Sequence, residues 1–518
     1  MSENLFKSKS YFFIAFGVLI GLCATFSLPI LLVLCLSVYV VFVFRKNATT
    51  LEEKEFITYV CVLAIGIRVL ISLFILGYGM YFGTGSDIFG DAMGYEGVGV
   101  YIKEAVTGIP IKRDLWGDNL IAVSWLREIW PEINLKSEYY TVPGVSYWYG
   151  YLNTLWGLSF LAPKILNGLM WTIGSFWIYL FFRDRYFESG TKFGLLIILF
   201  LPSSLIFSSS GLKDSLLFLL ITSIIYSSHM LERSNHRCYA TSALLISFLL
   251  NMLNLLVIEN ISFFLISVFI LSIMMVTWNN KYWLFWGLLI ICSGLLLPKV
   301  RSYVYYFVLI FSFFILINKL DFKRIIVYIF LITILTSSIF QETLYRNLFL
   351  HFKVASKHII SSSILTNYNT ARGNTAYHIY PEKYYANIET RDTVTYPEVF
   401  IAYLSGLRYV FFEPNPWSFR TPRVIIMFPE TCFVWFFMPF IILGTIIILR
   451  KNKKITLSII LFLFLTTSLL ALGQGNMGTL VRTRWTVMPW YFMIGAIGLN
   501  AKFHRNGDSP RETDQKEV

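Results

Sequence analysis

Apolar residues come in long unbroken runs along this chain, separated by short polar clusters. That is neither the spaced stripe of a water-soluble helix nor the alternation of a half-buried strand. The runs predict spans at 11–27, 28–44, 56–81, 162–182, 192–209, 214–230, 240–257, 261–278, 282–298, 303–318, 325–340, 431–449, 455–473 and 485–501. Crossing about 30 Å of hydrocarbon takes roughly 17–25 helical residues, so the shorter runs must extend or stand nearly upright. Residues 11–44 read either as a tight hairpin broken near Pro29 or as one very long helix. Because only helices satisfy every backbone group within one segment in lipid, the fold class is an all-α polytopic membrane protein with about 12–14 transmembrane helices.

The polar clusters set the orientation. With the N-terminus inside, "FRKN…EEKE", "RDRYFESGTK", "LERSNHR", "NNK", "NKLDFKR", "RKNKK" and "KFHRNGD" all fall on the cytoplasmic side and carry most of the short-loop positive charge. Among the short outside connectors only "KVRS" at 299–302 is clearly basic apart from the arginines near 482. The chain then divides into N-terminal spans (1–81), a first extracytoplasmic loop with an acidic motif (82–161), central spans (162–340), a second extracytoplasmic loop (341–430), C-terminal spans (431–501) and a cytoplasmic tail (502–518).

Composition sharpens this picture in three ways. With 56% hydrophobic and only 14% charged residues, the 518-residue chain is no ordinary soluble domain. The formal charge of +13 is scattered among the connectors as membrane anchors, which argues against nucleic acid as a partner. Six cysteines sit in or beside apolar runs without CxxC spacing, so neither a disulfide framework nor a zinc site is expected. No GxxxxGK[ST] or GxGxxG stretch occurs, and the inside connectors are too short for a nucleotide-binding domain. Chemistry is therefore expected on the outside face.

Four outside stretches carry candidate chemistry. In "DIFGDAMGY" (87–95), Asp87, Asp91 and Tyr95 recur at intervals of four, which puts them on one face if the stretch is helical, where a carboxylate can act as general base; a solvated loop acid or helix cap fits the same spacing. In "SSSGLKDS" (208–215), Lys213 offers a compact charge for a phosphate, or pairs locally with Asp214. In "GNMGTLVRTR", Arg482 and Arg484 stand two apart at an expected helix start, an arrangement suited to bidentate anion binding. The second loop adds Arg372 and Arg408 among tyrosines and tryptophan, a mixture suited to acidic or phosphorylated sugars; "FFEPNPW" itself reads better as a headgroup-level amphipathic segment. His351, His358 and His378 lack metal-ligand spacing; no cofactor is expected, although Asp87 and Asp91 together could hold a divalent ion.

"GDAMGY" after an early span, "YWYGYLNTLWGLSFLAPKILNGLMW" (147–171) and "LPSSLIFSSSGLKDSLLFLL" (201–220) together resemble the GT-C superfamily of polytopic glycosyltransferases, in its protein-mannosyltransferase-like and aminoarabinose-transferase-like branch. Those enzymes use polyprenyl-phosphate-linked sugars, and their first long outside loop bears a D-x-x-x-Y or D-[DE]-A-x-Y motif whose aspartate is taken as the base. By that resemblance Asp91 is the base, Tyr95 its companion and Asp87 the neighbouring acid, with Ala92 where the motif has a second carboxylate. "YLSGLRYVFFEPNPW" and "GNMGTLVRTRWTVMP" resemble bacterial O-antigen or capsule repeat-unit polymerases, which hold lipid pyrophosphate with outside arginines. The first resemblance covers about residues 80–230 and the second about 400–500.

The resemblance implies a GT-C-like enzyme of the bacterial inner membrane, with both termini cytoplasmic. It would transfer a sugar or oligosaccharide from a polyprenyl-phosphate or pyrophosphate carrier to a glycan or lipid acceptor in surface-polysaccharide assembly. A repeat-unit polymerase uses the same chemistry on larger donors. A lipid-linked oligosaccharide flippase has a similar number of spans, but transporters place polar groups at mid-membrane and show repeated halves.

Overall fold

The computed structural model describes residues 28–82, 87–88, 90–108, 144–186, 188–233, 396–413, 422–451, 453–473 and 477–503, together with Gly17 and Gly21. Among them the chain is helical throughout, with no strand. The expected spans 11–27, 240–257, 261–278, 282–298, 303–318 and 325–340 lie mostly or wholly outside the described residues. The chain divides into two compact units: Met1–Phe176, Leu199–Ser223 and Asn251–Ile261 form the first, and Trp177–Ile198, Ile224–Leu250 and Ser262–Val518 the second.

The first unit opens with α1 (Leu28–Lys46) and α2 (Leu51–Tyr81). Basic Arg45 and Lys46 end α1, where they complement the carbonyl end of the helix. Thr50 caps α2 by accepting from Glu53 N, while the Glu53 carboxylate accepts from Thr49 N at 2.7 Å and Thr49 Oγ1 at 2.9 Å. This close variant of the capping box fixes a four-residue turn between two apolar helices. At about 1.5 Å per residue, α2 is longer than the hydrocarbon needs, and its last turns carry exposed Phe74, Tyr78 and Tyr81, followed by exposed Phe82.

Two further helices, α3 (Gly90–Thr107) and α4 (Gly144–Trp156), form inside the segment expected as the first loop. They meet closely: a Cβ on Gly99 would lie 2.8 Å from Tyr149 Cβ, and one on Gly150 would lie 2.5 Å from Ile102 Cγ2. Next come α5 (Leu161–Arg183), α6 (Glu188–Phe200), α7 (Pro202–Ser208) and α8 (Asp214–Arg233). The expected single span 192–209 is in fact a bent pair, α6 and α7 meeting at 55°. Pro202 is the cause, since it lacks the N–H that would continue α6 and its ring crowds the preceding turn.

In the second unit, α9 (Tyr396–Phe412), α10 (Pro422–Lys451), α11 (Lys453–Gly473), α12 (Met477–Thr483) and α13 (Met488–Phe503) occupy the C-terminal third, with a 3₁₀ turn at Arg484–Thr486. Glycines set the separation of α10 and α13. A Cβ on Gly498 would contact Phe440 O and lie 2.6 Å from Gly444 N, and one on Gly444 would collide with Ile494 O. Small residues that let backbones approach are the usual means of packing helices in lipid. Gly498→Val should therefore force α10 and α13 apart at a cost of up to about 3 kcal/mol. Gly77→Ala, where nothing lies within 4 Å, should be harmless; thermal unfolding of the two purified variants checks the contrast.

Four helical stretches are long and apolar enough to cross a membrane: Leu28–Lys46, Leu51–Tyr81, Leu161–Arg183 and Phe428–Lys451, or up to five counting the bent pair. The expected spans 214–230 and 455–473 are helical and lie within α8 (Asp214–Arg233) and α11 (Lys453–Gly473). The chain is thus a helical protein with membrane-spanning segments.

Candidate functional site

Lysine carries a long apolar stem and an ammonium that is rarely buried without a partner. Lys164, in the first turn of α5, is fully buried, and its Nζ lies 3.1 Å from Asp87 Oδ2 and is ion-paired with Glu96 Oε1. Asp87 precedes α3 and Glu96 lies on it, so α5 grips both ends of the acid-bearing stretch. The same Asp87 oxygen accepts a hydrogen bond from Gly211 N at 2.8 Å, 124 residues along the chain. A Cβ on Gly211 would meet the Glu96 carboxylate, which would have to shift to make room, so the turn after α7 comes close against it.

Asn167, one helical turn beyond Lys164, reinforces that turn. Its Nδ2 lies 2.6 Å from Ser210 O, 2.9 Å from Leu212 O and 3.1 Å from Tyr149 Oη, donating to all three. Burial pushes the Tyr149 phenol well above its ordinary pKa; the charges of Glu96 and Asp87 add to this, and the Asn167 hydrogen bond opposes it. Tyr149 thus stays neutral beside two carboxylates. The half-buried Lys213 lies 5.8 Å above the Tyr95 ring, and Asp214 occupies the first turn of α8, where backbone N–H groups favour a carboxylate.

Two stretches singled out separately in the sequence, "DIFGDAMGY" and "SSSGLKDS", therefore form one site. Asp87, Tyr95 and Lys213 are brought together, and the backbone places Asp91 in the first turn of α3, four residues before Tyr95. Glu96, Lys164, Asn167 and Tyr149 had not been picked out. The signal for two of them was present: Lys164 and Asn167 are polar residues one turn apart within an apolar run, the pattern that marks intramembrane function or pairing.

The arginines separate. The expected helix start at Arg482 and Arg484 is not there: α12 begins at Met477, so half-buried Arg482 stands in its last turn and Arg484 in the following 3₁₀ turn. Arg484, expected to hold phosphate, is fully buried and already engaged. Its Nη2 lies 3.3 Å from Glu430 Oε1, and its Nη1 donates to Val410 O at 3.3 Å and to Glu413 O. It caps the carbonyl end of α9 with Glu430 as counter-ion, which gives this arginine a structural reason to exist. Arg408 is exposed on α9, and Arg372 lies outside the described residues. Arg484→Gln should accordingly lower the yield and unfolding temperature of the protein, because Glu430 loses its guanidinium and the carbonyls of Val410 and Glu413 lose a charged donor; Arg482→Gln should change either far less. Size-exclusion profiles and melting curves of the two variants test this.

Among the described residues no group of three or more His, Cys, Asp or Glu is placed to hold a metal ion, and Asp87 faces an ammonium. No protein-family model, curated protein or solved structure matches the chain.

Proposed function

We propose that this protein is a membrane glycosyltransferase that moves a sugar or oligosaccharide from a polyprenyl-phosphate or pyrophosphate carrier to a hydroxyl of a glycan or lipid acceptor. The observation that carries the reading is the hydrogen bond from Gly211 N to Asp87, which docks a lysine-bearing turn onto an acid-bearing helix beside a span. A base for the acceptor and a cation for the leaving phosphate are then neighbours, as glycosyl transfer from a lipid phosphate requires.

Asp91 takes the proton from the acceptor hydroxyl. The acceptor oxygen bonds to the anomeric carbon as the bond from that carbon to the phosphate oxygen breaks, and the electron pair leaves with the phosphate. Lys213 receives the departing negative charge, and Tyr95 offers a ring for the sugar face between them. Asp87, Glu96 and Lys164 touch neither reactant in this scheme; they hold α3 against the turn.

The test is a gel of surface polysaccharide from a deletion strain complemented with wild-type or Asp91→Asn protein. A uniform small shift in the deletion, restored only by wild type, supports single-sugar transfer. Loss of the ladder beyond one repeat assigns the same chemistry to repeat-unit polymerisation. Unchanged polysaccharide in the deletion sinks the reading.

A further inference from the structure

The buried lysine and arginines of this chain are engaged by the fold. Arg68, midway along α2, donates from Nε to Ser208 Oγ at 2.8 Å, from Nη1 to Ala64 O at 3.1 Å and from Nη2 to Leu199 O at 2.9 Å. Lys164 and Arg484 each meet a carboxylate. Arg450, the next-to-last residue of α10, and Lys453, the first of α11, are different. Both are exposed, and among the described residues neither makes an ion pair, a hydrogen bond or a ring contact.

The two belong to the run "RKNKK" (450–454), and no Asp or Glu occurs between Glu430 and Asp508. This run goes beyond the ordinary trimming of a helix end. Arg450 and Lys451 suit the carbonyl end of α10, but Lys453 and Lys454 open α11, where the helix dipole disfavours a cation. The turn between α1 and α2 follows the usual rule, with Arg45 and Lys46 ending one helix and Glu52 and Glu53 beginning the next. At the α10–α11 turn, Thr456 Oγ1 donates to Ile448 O at 2.9 Å, and Lys451 lies 5.9 Å over the Tyr186 ring. Arg450 and Lys453 are left pointing no charge at any described residue. Their Cα atoms are at most about 11 Å apart, within the combined reach of two long side chains.

From each of these cations an exposed apolar stripe runs toward the middle of its helix. On α10, Ile442, Ile446 and Arg450 succeed one another at intervals of four, and both isoleucines are exposed along a stretch long and apolar enough to cross the membrane. On α11, Lys453 and Leu457 are four apart and Phe464 follows two turns later, again with both apolar side chains exposed. We propose that the α10–α11 turn binds an anionic phospholipid, its phosphate held between Arg450 and Lys453 and its acyl chains lying along the two stripes. The guanidinium grips a phosphate bidentately, and the ammonium adds a compact charge. A zwitterionic lipid brings an ammonium group of its own, which the basic run repels. The proposal goes beyond the catalytic reading and does not need it, so either can fail alone.

The test is the unfolding temperature of the full-length protein in a neutral detergent, with dioleoyl phosphatidylglycerol or dioleoyl phosphatidylcholine added as mixed micelles. Phosphatidylglycerol should raise it saturably by about 2–5 °C, since a ligand that binds only the folded state stabilises that state. Phosphatidylcholine should leave it unchanged. Arg450→Gln with Lys453→Gln should unfold like wild type without lipid, because no described residue depends on either side chain. The same variant should bind phosphatidylglycerol about 10- to 100-fold more weakly. Arg45→Gln with Lys46→Gln removes equal charge from the end of α1 and should keep the full rise. A full rise in the Arg450 and Lys453 variant would overturn the proposal. So would an equal loss in the Arg45 and Lys46 control, which would make net charge the cause, or the same rise with inorganic phosphate alone, which would make the ligand a free anion. Should the Arg450 and Lys453 variant not fold, the wild-type rise decides: it should vanish in about 0.5 M sodium chloride, and its survival there overturns the proposal.

Discussion

Asp91→Asn should lower sugar transfer from a lipid-linked donor by about 10²–10⁴-fold, the usual cost of losing a general base, with no change in membrane level or unfolding temperature. The amide keeps the size of the carboxylate and can still accept a hydrogen bond in the first turn of α3, but it cannot take the acceptor's proton. Asp87→Asn should behave differently. Asp87 is buried against Lys164 and Gly211 N, so loss of its charge should weaken folding as well as transfer, and acid-site geometry should recover little at higher acceptor concentration. Initial rates with radiolabelled donor, normalised to folded protein, distinguish the two. Wild-type rates in Asp91→Asn would move the base elsewhere and leave "GDAMGY" as a helix start only.

Lys164→Met should have the largest effect on folding. Methionine fills most of the volume of the lysine stem, so packing changes little, but Asp87 and Glu96 would face each other buried without their shared cation. Breaking a buried ion pair from one side costs about 3–5 kcal/mol, a large part of the 5–15 kcal/mol that holds a typical domain together. Little folded protein should reach the membrane. Adding Glu96→Gln to Lys164→Met should restore part of it, because one of the opposed charges is then gone. Quantitative blots of membrane fractions and size-exclusion profiles report both results. Normal yield of Lys164→Met alone would mean that water reaches the cluster and that its buried geometry contributes little.

The membrane-spanning helices could be read from hydropathy because lipid imposes a one-dimensional rule on the chain. The runs 56–81, 162–182 and 431–449 fall within the helices Leu51–Tyr81, Leu161–Arg183 and Pro422–Lys451, which extend past the apolar runs by polar or flanking residues. Pro202 lay in plain view within the run 192–209, yet a hydropathy average does not see one missing N–H, and the 55° break was therefore not anticipated. Helix α3 was legible only through the spacing of Asp87, Asp91 and Tyr95, and α4 was not anticipated. They lie in a stretch without a long apolar run, and close packing between Gly99, Tyr149 and Gly150, which depends on residues far apart, decides the rest. Charge pairs were the least legible feature. Lys164 and Glu96 are 68 residues apart and Arg484 and Glu430 are 54 apart, so residue type suggested a ligand for Arg484 where the fold supplies a carboxylate.

The bond between Arg68 and Leu199 O also dictates an order of events on the ribosome. The two residues are 131 positions apart, so at about 5–20 residues per second the span carrying Arg68 is made roughly 7–26 s before its acceptor exists. A central arginine costs about 2.5–3.5 kcal/mol on insertion, while each Leu, Ile, Val or Phe returns roughly 0.3–0.6. The fourteen such residues between Phe56 and Leu76 are enough for that helix to enter the bilayer unaided. During the wait its guanidinium has only Ala64 O, within its own helix, as an acceptor, and a nascent chain stalled before residue 199 would display a charged, unsettled helix of the kind that membrane proteases extract.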